Sequence, residues 1–551
     1  MIPRVMWPLV LALTIAAAQQ PAARDTVVRP DAAGAVIRGR VTAAATGQPL
    51  HRVRVTLTTQ NPNPPSAVTD TRGLFEITGV PPGAYSLTAA RAGYLTVQYG
   101  QRRPREPGRT IQVKSGDAIG GIDLALVKGG VLSGRITDET GDPFPGARVE
   151  AIDLRYVRGQ RVPLAARVTF TNDAGEYRLS GLESGSYQVR ASSTDVWESD
   201  DGKNTYVHAI TYFPGVTSGD RPESIALTAG QEVASLDIRL IAGAAARLSG
   251  VVQDAAGAPL AGQQVNLDRI TRGTGGVLQS AGFGGVAKTD SRGLFEIPKL
   301  AAGEYMAYTG GPSDRVSATV IVAEGGNRHV ALVPSRPAVV SGVIVTDDGA
   351  PPPGPAARLA IDPIAADPAL VLAPWGAPRA QPPAPDWKFR ISGLDGGYLF
   401  RMNGLPDGWM LKSVMLGDRD LIDQPLAMAR GQADLDGLRI VVTKKGAKVT
   451  GEVVDAAGAP APDTTVVVFA ENSALWGVAS RFIRAVRPDA EGRFSAGNLP
   501  PGIYRAVARD VVIDGQWEDP AFLQALVKDA TRVEIAEGES ATVKLIAGAI
   551  R

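Results

Sequence analysis

Five times along the chain, apolar residues alternate with other residues about a central glycine. The sets are Ile37/Gly39/Val41, Leu132/Gly134/Ile136, Leu248/Gly250/Val252, Val340/Gly342/Ile344 and Val449/Gly451/Val453. A period of two puts each set on one face of a β-strand. The apolar members seek the core, so the glycine between them also faces inward. An inward strand glycine implies that another backbone or a bulky side chain lies close against it. Successive glycines are 95, 116, 92 and 109 residues apart. That spacing is the size of a domain and far too long for a solenoid unit.

Each strand is followed by a Gly-x-Pro turn: Gly47-Gln48-Pro49, Gly141-Asp142-Pro143, Gly257-Ala258-Pro259, Gly349-Ala350-Pro351 and Gly458-Ala459-Pro460. Glycine supplies positive φ and proline removes a ladder donor, so pairing stops there. After a second strand comes an aspartate turn at Asp70–Gly73, Asp173–Gly175, Asp290–Gly293, Asp395–Gly396 or Asp489–Gly492. Two residues past each turn glycine stands a core aromatic: Phe75, Tyr177, Phe295, Tyr398 or Phe494. A loop closed by Gly-x-Tyr then gives Tyr85, Tyr187, Tyr305 and Tyr504, each placed to return its hydroxyl to nearby backbone at a β corner. The fourth repeat departs, reading Leu405-Pro406-Asp407-Gly408-Trp409. A further alternating strand closes each unit, and short joints follow at Gly129-Gly130, Ala242–Ala246 and Lys444–Ala447.

These signals predict an all-β chain of five tandem Ig-like or transthyretin-like β-sandwich domains, at 35–128, 129–243, 244–334, 335–446 and 447–551. The fourth is diverged and carries a Pro-rich insertion, Ala350 to Pro385. One short helix is expected in the last domain, capped by Asp519, with Pro520 in its first turn and a stripe of Phe522, Leu523, Leu526 and Val527.

The set of residues resembles the carboxypeptidase regulatory-like domain family, whose sandwich is close to Cna-B repeats and to the carbohydrate-binding-like fold. Gly134, Ile136, Asp138, Gly141, Pro143, Pro145, Gly146, Ala147 and Val149 carry the first part of the family phrase. Thr69, Asp70, Gly73, Phe75, Pro81, Pro82, Gly83 and Tyr85 carry the second. The resemblance implies a fold. It carries over no catalytic residue, because every matched position is a turn or a core position.

Composition narrows the class further. The 63 glycines and 41 prolines sit at regular turn positions, and 44% of the chain is hydrophobic, which fits a turn-dense β protein rather than disorder. A net charge of +1 gives no nucleic-acid footprint. Arg4, the apolar run Val5 to Ile15 and Ala16-Ala17-Ala18 read as a signal peptide over residues 1–18, followed by a flexible tether over 19–34. No later stretch reaches eighteen apolar residues, so no transmembrane segment is expected in the mature chain, and a periplasmic or secreted location in the cell envelope is. With no cysteine, the chain has no thiol nucleophile and no Cys-ligated metal.

Candidate chemistry is sparse. A zinc carboxypeptidase needs closely spaced His and Glu ligands, whereas His51, His208 and His329 fall in three different repeats. Gly282–Ala287 imitates a dinucleotide motif but reads as a glycine-rich loop with no following helix. The acidic run Asp195–Gly202 lacks the ordered ligand spacing of a calcium loop. Lys448 is the lysine nearest to a position for an isopeptide crosslink. No catalytic, metal or cofactor-binding residue is therefore assigned.

Loop aromatics remain. Trp197, Tyr206 and Tyr212 lie in a long insertion of the second repeat, beside acids and Asn204, and flat aromatic faces stack on the apolar C–H faces of sugars. The expected function is a non-catalytic binding or scaffold protein of the envelope, with a polysaccharide or an envelope protein as partner. The alternative is an accessory module of a separately encoded hydrolase or transporter.

Overall fold

The computed structural model describes residues 34–58, 64–101, 108–217, 222–273, 278–310, 316–334, 338–352, 354, 356–367, 378–406, 408–429 and 431–548. The expected signal sequence, most of the tether and part of the Pro-rich insertion, Trp375 included, lie outside the described residues. Contacts divide the chain into two compact units, one built mainly of the first repeat up to Leu126 and one from Val127 onward.

The first unit has two sheets. In one, Ala35–Ala43 lies between Leu74–Val80, which runs antiparallel to it, and Ala118–Leu126, which runs parallel. In the other, Arg54–Thr58 and Gly83–Ala90 pair at the centre, with shorter strands at the edges. Ile37, Val41, Val55, Leu57, Phe75 and Leu87 are buried between them.

The same order returns in the second unit. The strand bearing the central glycine sits between an antiparallel partner and a parallel closing strand in Leu294–Leu300/Ala246–Val252/Asn327–Leu332 and in Arg493–Leu499/Ala447–Val454/Ser540–Ile546. The fourth repeat widens this sheet to six strands by adding Met410–Leu416 and two edge strands. The second repeat breaks its closing strand into Glu232–Val233 and Ile238–Arg239.

Both neighbours expected of the inward glycine are present. A Cβ on Gly451 would stand 1.8 Å from the Val543 carbonyl oxygen and 2.9 Å from the Phe494 ring. Gly39 meets Ile122 and Phe75 in the same way, and Gly342 meets Leu438 and Phe389. The repeated glycine thus lets the parallel closing strand and the facing aromatic approach the same point. The corner tyrosines behave as expected too. The hydroxyls of Tyr85, Tyr187, Tyr305 and Tyr504 donate to the carbonyls of Pro81, Glu183, Ala301 and Pro500 at 2.7–2.9 Å.

Two assignments of the sequence pattern are corrected. In the second repeat the turn side chain is Asn172, not Asp173: its Oδ1 accepts from the N–H groups of Ala174 and Glu176. In the fourth repeat the aromatic facing the strand glycine is Phe389, and Tyr398 is the corner tyrosine, donating to Asp395. The turn before Phe389 has Trp387 at φ +65° where the other repeats have glycine, and Ala384 where they have Asp or Asn. Without its two marker residues the turn carries no sequence signal, and the next Asp-Gly, Asp395-Gly396, imitates it.

The helix forms as Pro520–Leu526, with Asp519 Oδ1 accepting from Ala521 N–H. It buries Phe522, Leu523 and Leu526 against Val467, Phe469, Trp476 and Val507. Strand Thr465–Ala470 is accordingly buried on both faces. None of the described helices is long and apolar enough to cross a membrane.

Candidate functional site

The insertion of the second repeat is an ordered small sheet. Val196–Glu198 pairs antiparallel with Thr205–His208, which pairs antiparallel with Ala242–Ala244. The last of these strands lies in the short joint Ala242–Ala246 and is tied into the sheet.

Trp197 and Tyr206 are directly opposite in this ladder, and cross-strand aromatic pairs reinforce such sheets. Their rings stack at 5.9 Å with 24° between planes, and both side chains are half-buried. His208 packs against Trp197, its ring 4.6 Å away, and lies edge-on to Phe144 at 5.2 Å. Its Nε2 lies 2.9 Å from Glu139. The pair Trp197/Tyr206 therefore forms a platform packed on its Trp197 side against His208.

Tyr212 does not join them. It is buried on the outer face of the larger sheet, where Arg190 Nη1 donates to its hydroxyl at 3.4 Å. Arg190 in turn pairs with Glu150 at 2.8 Å, and both are almost fully buried. A charged pair is kept under a cover only when its hydrogen bonds are met, and Tyr212 meets one of them. Its expected ligand contact is thus replaced by a structural one.

The other sequence candidates resolve into structure. Gly282–Ala287 is part of strand Leu278–Lys288, not a loop. In the acidic run, Asp201 accepts from Ser199 and from the Lys203 N–H, closing a turn. Among the described residues no group of three or more His, Cys, Asp or Glu could hold a metal ion. Lys448 is exposed. Trp387 and Trp409 pack against the core of the fourth repeat, and Trp517 packs beside the helix.

Sequence reasoning missed Phe170. It ends strand Gln160–Phe170 with 62% of its surface exposed. It borders an open groove of about 550 Å³ on the second repeat that also includes Arg135, Asn172, Glu176, Ser235 and Asp237. The pattern gave no warning, because an isolated phenylalanine beside a turn reads as core.

Residues 36–127 and 131–240 match the family described as Carboxypeptidase regulatory-like domain. The first two repeats are therefore domains of that family, as the motif resemblance implied. The comparison with curated proteins gives no match. Among solved structures, the Bacillus anthracis TIE protein is 12% identical over 90% of this chain and 65% of its own, with a TM-score of 0.14. The chain thus spans just under two thirds of that protein. A streptococcal ancillary pilin is 12% identical over 54% of this chain and 98% of its own, at a TM-score of 0.19. The minor pilin GBS52 of Streptococcus agalactiae is 16% identical over 37% and 95%, also at 0.19.

Proposed function

We propose that this chain, whose first two repeats are carboxypeptidase regulatory-like domains, is a non-catalytic binding and scaffold protein of the cell envelope. In this reading residues 1–18 direct export, and five sandwiches with the boundaries given above form the mature array. The residues that recur from repeat to repeat are spent on turns, corners and the close approach of strands. Function then falls on what distinguishes one repeat from another, as it does for loops on a rigid scaffold.

The observation that supports a glycan ligand is the Trp197/Tyr206 pair: two stacked rings, half-exposed, on an ordered sheet near Asn204. A sugar ring laid on such a platform replaces water over apolar surface while its hydroxyls reach polar neighbours. The test is a glycan array probed with the full mature chain. Binding is expected, and Trp197→Ala should weaken it at least about tenfold, roughly 1.4 kcal/mol, without lowering the melting temperature. No binding by the wild type, or binding indifferent to Trp197→Ala, overturns the glycan reading. Hydrolysis of peptides by the purified protein with added zinc would overturn the non-catalytic one.

A further inference from the structure

The closing strands of the third and fifth repeats pair without a break, whereas those of the first, second and fourth depart from regular pairing near the strand glycine. Just before the residue that faces the strand glycine, the first and fourth repeats have Gly121 at φ +72° and Gly437 at φ +89°. The second repeat has Ser235 there, at φ +60°. A left-handed backbone at a residue other than glycine is strained, and such strain persists where the surroundings impose it, often at functional sites.

Three further departures accompany it. The closing strand parts between Val233 and Ile238. The N–H of Arg135, which a ladder carbonyl would ordinarily receive, donates to Asp237 Oδ1 at 2.8 Å. The facing aromatic is Tyr177 where the other repeats have phenylalanine, and its hydroxyl donates to the Leu236 carbonyl at 2.7 Å. Together these open the outer face of the sheet into the 550 Å³ groove.

In the first repeat the ion pair Arg38–Glu76 lies across that face at 2.8 Å. In the second repeat Ser133 holds the place of Arg38, and the arginine opposite, Arg178, turns away to Glu232. The space left has Phe170 on one side, with most of its ring in solvent, and Ser235 and Asp237 on the other. Glu176 lies between, held by the Asn172 amide at 3.1 Å, opposite Arg135 in the ladder.

We propose that this groove is a second binding site, for a neutral oligosaccharide, separate from the Trp197/Tyr206 platform. The chemistry selects that class. Phe170 offers a flat apolar face for a pyranose ring. Carboxylates at Asp237 and Glu176 accept from sugar hydroxyls, while Arg135 and the serine hydroxyls donate to them. Two carboxylates beside one arginine outside the Arg178–Glu232 pair disfavour polyanions, including acidic glycans and nucleic acids.

The inference goes beyond the proposed function by adding a site, and one experiment distinguishes the two. The full mature chain is titrated with the neutral glycans that bind on an array, alongside Phe170→Ala, Ser235→Gly and Trp197→Ala. Ser235→Gly removes the hydroxyl while relieving the backbone, so it cannot act by unfolding the repeat. The expected result is that Phe170→Ala weakens binding at least about tenfold and Ser235→Gly several-fold, as loss of a stacking face and of one hydrogen bond imply. If Trp197→Ala alone abolishes binding and the two groove variants bind as the wild type does, the groove proposal is overturned and the platform reading stands. If Phe170→Ala abolishes binding and Trp197→Ala does not, the groove is supported and the platform reading falls. If the wild type binds no neutral glycan, both fall.

Discussion

At Gly451 there is no room for a methyl group, since the added carbon would stand 1.8 Å from a backbone oxygen that belongs to the closing strand. Backbone cannot step aside as a side chain can. Gly451→Ala is therefore expected to destabilise the fifth repeat by about 2–3 kcal/mol, the upper range for overpacking. Hydrogen exchange of amides in Ala447–Val454 and Ser540–Ile546 would report it, and unchanged protection would contradict it. The turn aspartates make a second prediction. Asp70, Asp290 and Asp489 each accept two backbone N–H groups. Those bonds hold their carboxyls below the ordinary range, the bond from Leu74, Leu294 or Arg493 contributing most. A depressed folded pKa gives stability that is present above the unfolded value, about 4, and is lost as pH falls through the folded one. Acid should thus loosen these turns below about pH 4. Asn172 makes the same two bonds without a charge, so Asp489→Asn should keep the turn and remove its acid sensitivity in a pH titration of local exchange. The inward glycines and corner tyrosines were legible because each is forced by local geometry. Ser235 and Phe170 were not, because their meaning depends on what other strands leave open.

At the scale of elements, alternation and turn chemistry were enough to locate strands, and failure came where a marker was replaced. Trp387 at φ +65° performs a glycine's turn, so the fourth repeat was read one element out of step. The short helix was legible from its cap, its proline and its stripe, which are independent signals. Its packing gives a third prediction. Leu523 is fully buried between the helix and the outer face of strand Thr465–Ala470. Leu523→Ala is expected to cost about 2–5 kcal/mol. The loss should appear as a red shift of tryptophan emission, because Trp476 lies in the same cluster and its indole donates to the Ala470 carbonyl at 2.7 Å. An unaltered emission maximum and melting curve would mean that the helix is dispensable to that face.

At the scale of the molecule, the sequence suggested sandwiches strung on short Gly/Ala joints, and composition alone could not say how stiff those joints are. From Val127 onward several joints are bonded. Arg401 Nε donates to the Ala479 carbonyl at 2.9 Å, and Arg481 pairs with Asp423 at 2.9 Å, so the fourth and fifth repeats grip each other reciprocally. Between the second and third repeats, Ala242–Ala244 pairs with Thr205–His208 on one side. On the other, Glu324 accepts from the Ala244 N–H at 2.9 Å, and Gly325 N–H donates to the Ala244 carbonyl at 3.0 Å. The strand that carries Tyr206 is therefore tied to the third repeat through three residues. A stiff joint matters for a weak binder, since sites held in fixed relation lose less freedom when one polymer engages several of them. Glu324→Ala should speed exchange of the Ala244 amide about tenfold, the effect of one hydrogen bond to a charged acceptor. The Ala245 amide, which donates to Thr205 at 2.8 Å, should stay protected. If Ala244 exchanges freely in the wild type, the joint is a hinge, and any gain from several sites would have to come from tether length rather than from a fixed arrangement.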